Sequence, residues 1–198
     1  MITLHRKLVT ECAIDPPLAV TQAELEAQSR ASGQDAEQLL PYLYAAQEYL
    51  ETITNRKFLR QTWAAYLDCF PACDAIRLPF APLVEVDHVK YTPAGGSLTT
   101  LATTVYGVSI VRDPGEIILK YEQSWPTDTL SPIDPIEIQF KCGWAGAATV
   151  PHQIRQAIRL LAAHWYANRE TVVVDNGMPS SMEIPFGVTA LVANWIIR

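Results

Sequence analysis

From Gln61 to Trp144 the chain is a succession of short runs rich in β-branched and aromatic residues, each closed by Pro, Gly or Asp. Punctuation that frequent breaks any long helix and suits strands of about four to eight residues, so the middle of the chain must form a sheet. The runs fall near 62–67, 75–78, 84–92, 97–101, 105–111, 116–121 and 136–142. Gly95-Gly96 between two of them is a hairpin signal, and Asp113-Pro114-Gly115 before another has turn chemistry.

Both flanks follow a helical period instead. Thr21-Gln22-Ala23-Glu24 forms a capping box ahead of Leu25 and predicts a short helix near 21–32, ending at Gly33. A longer helix is expected near 41–56, with Leu39, Leu43, Ala46, Leu50 and Ile53 on one side and Glu48, Glu51, Thr52 and Asn55 on the other. Pro41 places its regular start, because proline is tolerated in the first turn and breaks bonds further in. After Val150, Pro151 opens a third helix near 151–169, where Ile154, Ile158, Leu161 and Trp165 form an apolar stripe opposed by Arg155, Gln156 and Arg159. Asp175 to Ser181 contains Asn176-Gly177, Pro179 and a Ser pair and reads as a linker, and Glu183 to Arg198 as an apolar tail.

The order helices, strands, helix predicts an α+β fold rather than alternating β-α units. Residues 1–174 are expected to make a single domain with the β-rich block inserted at about 61–144, followed by a linker and an extended C-terminal docking tail at 175–198. A chain of 198 residues can bury about two-thirds of its unfolded surface, enough for a core without staples.

Composition then narrows the chemistry. With 49% hydrophobic and 18% charged residues the chain is a folding one, and a net charge of -6 argues against a protein that grips nucleic-acid phosphates. No apolar run reaches membrane-span length and the N-terminus lacks a signal-type stretch, so synthesis in the cytoplasm and reduced thiols at Cys12, Cys69, Cys73 and Cys142 are expected. Cys69 and Cys73 have no companion pair at zinc spacing, and buried or loop thiols are the commoner outcome. His88 and His152 are isolated, while His164 lies in a helix where a structural, hydrogen-bonded role is usual. There is no Gly-x-Ser-x-Gly turn, and Gly143-Trp144-Ala145-Gly146 lacks the Lys-Ser/Thr of a phosphate loop. No catalytic residue, metal or cofactor is therefore expected. The alternative of a small metal-dependent hydrolase on the β block would need His88 or His152 to converge with Cys or carboxylates.

Several stretches have a familiar look: Glu51-Thr52-Ile53-Thr54-Asn55-Arg56, then Gln61-Thr62-Trp63, then Leu78-Pro79-Phe80-Ala81-Pro82-Leu83, and the Gly143-Trp144 turn. The most distinctive runs from Val150-Pro151 to His164-Trp165-Tyr166-Ala167-Asn168-Arg169-Glu170, and Ile184-Pro185-Phe186-Gly187-Val188 closes the set. From about Asp35 onward the chain resembles the head-to-tail connector (adaptor) family of long-tailed phages and gene transfer agents. It departs from that pattern in a longer Asp175–Glu183 stretch and in Asn194-Trp195, which stands where a Pro-aromatic pair is expected. The resemblance implies a non-enzymatic structural subunit in the neck of a bacterial phage-like particle, with about twelve copies in a ring. Its neighbours would be the portal protein and a stopper or tail-completion protein, with DNA passing through without specific binding. A stopper or tail-completion role is the nearest alternative. Under the resemblance, Ile184, Phe186, Val188, Leu191, Trp195, Ile196 and Arg198 are expected to dock on the portal, and Ile154, Arg155, Ile158, Arg159, Leu161 and Trp165 to belong to the body of the ring.

Overall fold

The computed structural model describes residues 4–9, 17–29, 36–168, 172–175, 178–181 and 184–197. It is α+β, and it divides into two compact units, Met1–Asp15 with Asn55–Trp144, and Pro16–Thr54 with Ala145–Arg198.

The first unit is built from strands. β2 (Gln61–Leu67), β3 (Ala75–Arg77), β4 (Leu83–Tyr91), β5 (Thr99–Thr100), β6 (Tyr106–Ser109), β7 (Glu116–Leu119) and β8 (Ile136–Cys142) fall on the runs read from the sequence. A further strand, β1 (Leu4–Leu8), was not foreseen. It pairs antiparallel with β2, and its five residues carry too little alternation to announce a strand without that partner. The strands form an antiparallel sheet in the order β1-β2-β8-β4-β5 and a second antiparallel sheet in the order β3-β7-β6.

One core lies between contributions from both sheets. Ile136, Ile138, Phe140 and Cys142 alternate inward along β8 and are fully buried, joined by Ala65 and Leu67 from β2, Val89 from β4, Ile76 from β3 and Ile117 from β7. The intervening Glu137, Gln139 and Lys141 face outward, as the period of two requires. Irregularities in β4 between Leu83 and Glu85 and between Val86 and His88 shift its register against β8. They bring Val86 opposite Phe140 and Val89 opposite Ile138, so two residues three apart share one face, which plain alternation forbids.

The second unit is helical, with α1 (Gln22–Ser29), α2 (Ala36–Thr54), α3 (His152–Ala167) and α4 (Phe186–Val192). Thr21 and Glu24 make the reciprocal capping box: the Thr21 N–H donates to Glu24 Oε2 at 2.9 Å, and the Glu24 N–H to Thr21 Oγ1 at 3.3 Å. Leu25, Leu39, Leu43, Ala46, Leu50, Ile154, Ala157, Ile158, Leu161, Val188 and Val192 form the buried stripes by which these helices pack.

Four expectations are corrected here. α2 begins at Ala36 rather than Pro41, leaving proline inside the helix. Proline removes one N–H to the carbonyl four residues back, and burying Leu39 in step with Leu43 outweighs that loss. Glu51, assigned to the polar side of α2, is buried with 5% exposure, next to buried Leu50 and one turn beyond buried Gln47, because the covered face is wider than the Leu stripe. Gln47 is held inside by accepting from the Ala19 N–H at 2.8 Å and donating to Pro17 O at 3.2 Å. The stretch from Asp175 to Ser181, read as a linker, contributes to a hairpin of β9 (Val172–Asp175) and β10 (Met178–Ser181), whose turn residues Asn176 and Gly177 lie outside the described residues. Finally, the closing segment is not extended: it is helical in α4 and continues as a 3-10 turn over Ala193–Trp195.

Candidate docking surface

The last segment combines two opposite treatments of apolar side chains. In α4, Val188 and Val192 are four apart and lie on one face, where both are buried in the helical unit against α3. Pro185 precedes the first turn with an extended backbone, φ -54° and ψ 129°, and so starts the helix at Phe186. That position faces away from the Val188 stripe and leaves the Phe186 ring 86% exposed. Downstream, Trp195 is half-buried and its Nε1 donates to Gln153 Oε1 on α3 at 2.9 Å. The Ile197 N–H donates to Thr54 O at the end of α2 at 3.2 Å, while Ile196 between them points out at 40% exposure.

The residues expected to dock on a portal therefore separate into groups. Phe186 and Ile196 are exposed, Ile184, Leu191 and Trp195 are half-buried, and Val188 is interior. Arg198 lies outside the described residues. The stripe on α3 behaves as a packing face: Ile154, Ile158 and Leu161 are buried, and Trp165 meets Tyr49 of α2 edge to face at 5.8 Å. Arg155 is ion-paired with Glu24 of α1, and Arg159 donates to Gln156 at 2.7 Å. Glu24 titrates below its usual range, chiefly because the Thr21 N–H donates to its carboxylate; burial opposes this and Arg155 adds to it.

Among the described residues, the cysteines and histidines lie on several different elements. Cys69 and Cys73 are exposed in the loop after β2, and Cys142 is buried in the β core; Cys12 lies outside the described residues. His88 Nε2 is 2.8 Å from Glu137 Oε1, and the Tyr66 hydroxyl donates to Glu137 Oε2 at 3.3 Å, on the outward face of the large sheet. Burial and the Glu137 carboxylate raise the Tyr66 hydroxyl above its usual value, keeping it a donor. Among the described residues no three His, Cys, Asp or Glu side chains converge as a metal cluster would need. His152 is exposed on α3, and His164 has Asn168 Nδ2 3.4 Å from its Nδ1.

Sequence reasoning missed Arg56. It closes the familiar stretch after α2, where Asn55 adopts φ 53° and ends the helix in the left-handed conformation that Asn tolerates. The Arg56 side chain is 8% exposed and ion-paired with Asp113, in the turn joining β6 to β7. An arginine followed by a strand gives no local sign of a partner 57 positions away.

The family model described as phage gp6-like head-tail connector protein matches residues 130–195, the stretch holding β8, α3 and α4. No curated protein matches the chain. Among solved structures it is similar to a chain in the virion of a native gene transfer agent particle, at 26% identity and a TM-score of 0.76. It is also similar to one in the neck of an empty gene transfer agent particle computed with C6 symmetry, at 25% identity and 0.77, and to one in the neck of the native particle computed with C12 symmetry, at 25% and 0.70. In each case 98% of this chain and 96% of the other are covered. Over residues 130–195 the chain is similar to the head-tail connector family, and over nearly its whole length it shares the fold of these gene transfer agent chains.

Proposed function

We propose that this chain is an adaptor subunit in the neck of a phage-like particle, arranged with other copies as a ring between the portal and a stopper or tail-completion protein. The observation that carries this reading is the match over nearly the whole chain to chains in the neck of a gene transfer agent particle. The C6 and C12 symmetry of the matched necks supports cyclic assembly of this chain through two different faces per copy.

Two features of the molecule agree with such a role. Phe186 stands on a helix anchored by Val188 and Val192, which is how a protein presents an apolar anchor to a pocket on a partner at little entropic cost. A net charge of -6 suits a channel through which DNA must pass without being held. On this reading Phe186 and Ile196 meet the portal, Trp195 orients the segment, and α3 belongs to the body of the subunit.

The test is a point substitution, since removing 183–198 would also strip Val188 and Val192 from the helical core. Phe186→Asp should leave the melting temperature near that of the parent chain and reduce capture by portal-bearing heads at least about tenfold, the cost of a lost hot spot. Unchanged capture would defeat the portal assignment. Capture by tail-side components instead of portal would favour the stopper role.

A further inference from the structure

The open edges of the β unit are not treated alike. β1, at one end of the large sheet, carries His5, Arg6 and Lys7, and β5, at the other, is only two residues long; both are common protections against unwanted strand pairing. β6, at the edge of the small sheet, has neither. Its residues Tyr106–Ser109 bear no charge, and Val108, Ile110 and Val111 are 39%, 58% and 92% exposed.

The ladder shows which groups of β6 face outward. The Lys120 N–H donates to Val105 O, so alternation along the antiparallel pair turns Gly107 and Ser109 toward β7. The N–H and C=O of Tyr106 and Val108 then point away from β7. On the inner face, the row Ile76, Ile117, Val108 crosses the sheet with exposures of 4%, 0% and 39%, so the apolar layer runs out beyond the core at this edge. The turn carries the Arg56–Asp113 and Arg112–Glu116 ion pairs. Those pairs cancel the local charge, which removes nucleic acid as an occupant.

We propose that the outer edge of β6 is a strand-addition site for a second copy of this chain, whose β3 continues the small sheet. This rests on the ring described above. A cyclic contact needs two different patches on each copy. Since β3 and β6 both run antiparallel to β7, they run parallel to each other, and a rotation about a ring axis brings the next copy's β3 alongside β6 in parallel. A two-fold axis would bring β6 against β6 instead. β3 has its own outward groups: the Leu119 N–H donates to Asp74 O and the Leu78 N–H to Gly115 O, which turns Ile76 inward and Ala75 and Arg77 outward. The Cys73 thiol, 3.2 Å from Ala75 O, is displaced when the neighbour arrives.

Hydrogen exchange on the full chain, free and assembled on portal-bearing heads, tests the site together with imaging of the assemblies. The amides of Tyr106 and Val108 should exchange at least about tenfold more slowly in the assembly, as hydrogen-bonded amides do on losing solvent access. Val108→Pro removes one outward donor while sparing the bonds to β7, and proline is accepted on an edge in that orientation. It should preserve the melting temperature and abolish closed rings while single copies still reach the portal. Val111→Asp, at a 92% exposed position, gives the same result should the proline variant fail to fold. Closed rings from both variants, or equal exchange in the two states, would overturn the site and leave the neck role standing. Rings blocked by Val108→Pro but not by Ala75→Pro would overturn β3 as the partner strand. If the parent chain binds portal-bearing heads without closing a ring, both the ring and this site fall.

Discussion

The two units use the same kind of apolar residue in different ways. The helical unit closes its stripes on one another, since Leu43 and Leu50 of α2 and Ile158 of α3 are buried without remainder, and it leaves Phe186 and Ile196 as its exposed large apolar side chains among the described residues. The β unit covers the centre of its sheets equally well at Phe140 and Ile138, yet leaves Leu98, Val108, Ile110, Val111, Tyr121 and Ile133 exposed at edges and loops. A helix satisfies its backbone internally and has only a face to cover, whereas a sheet always ends in strands whose polar groups and side chains need a neighbour. Among the described residues the exposed apolar surface therefore lies mainly on the β part.

Substitutions can break or sharpen that contrast. The largest effect is expected from Phe140→Ala, which empties the centre of the core shared by both sheets and should cost about 3–5 kcal/mol in urea unfolding. Leu43→Ala in the helical unit should follow at about 2–5 kcal/mol, because the stripe between packed helices relaxes only in part. A much smaller loss there would mean that the helices close up around the void. Gly115→Ala places a β-carbon on the Leu83 side chain and should cost about 1–3 kcal/mol, with Leu83→Ala in the same chain recovering part of it. Strict additivity of the two would show that the overlap is relieved elsewhere.

The smallest effect belongs to Glu24. Glu24→Ala removes the capping box of α1 and should cost about 1 kcal/mol at neutral pH. Since the folded carboxyl titrates below its ordinary 4.5, its contribution is complete above that pH and is lost as pH falls through the folded value. The stability curves of parent and variant should therefore converge on the acid side of 4.5 and run parallel above it. A constant gap through that region would exclude the carboxylate as the source.

The elements were largely legible in the sequence because their signals are local. The capping box at Thr21 and Glu24, Pro151 before α3, and the alternation in Ile136–Cys142 each state a backbone preference within a few residues. Errors arose where a distant contact overrode a local rule. Pro41 is carried inside α2 by the burial of Leu39, and Val86 and Val89 share a face through the irregular register of β4. β1 has no pattern of its own and exists through its pairing with β2. The candidate surface was legible by composition only: the tail is visibly apolar, but its division into buried Val188 and exposed Phe186 shows only where α4 packs against α3.

By itself the sequence determined which backbone each segment prefers, the α+β order of those segments, and the family resemblance carried by the helix from Pro151 onward. Only the tertiary structure decided which apolar residues are consumed inside the molecule and which remain outside, that Arg56 reaches Asp113, and that β6 ends its sheet unprotected. The physical reason is range: dihedral preference and periodicity act over a few neighbouring residues, while burial and strand pairing depend on groups brought together from far along the chain.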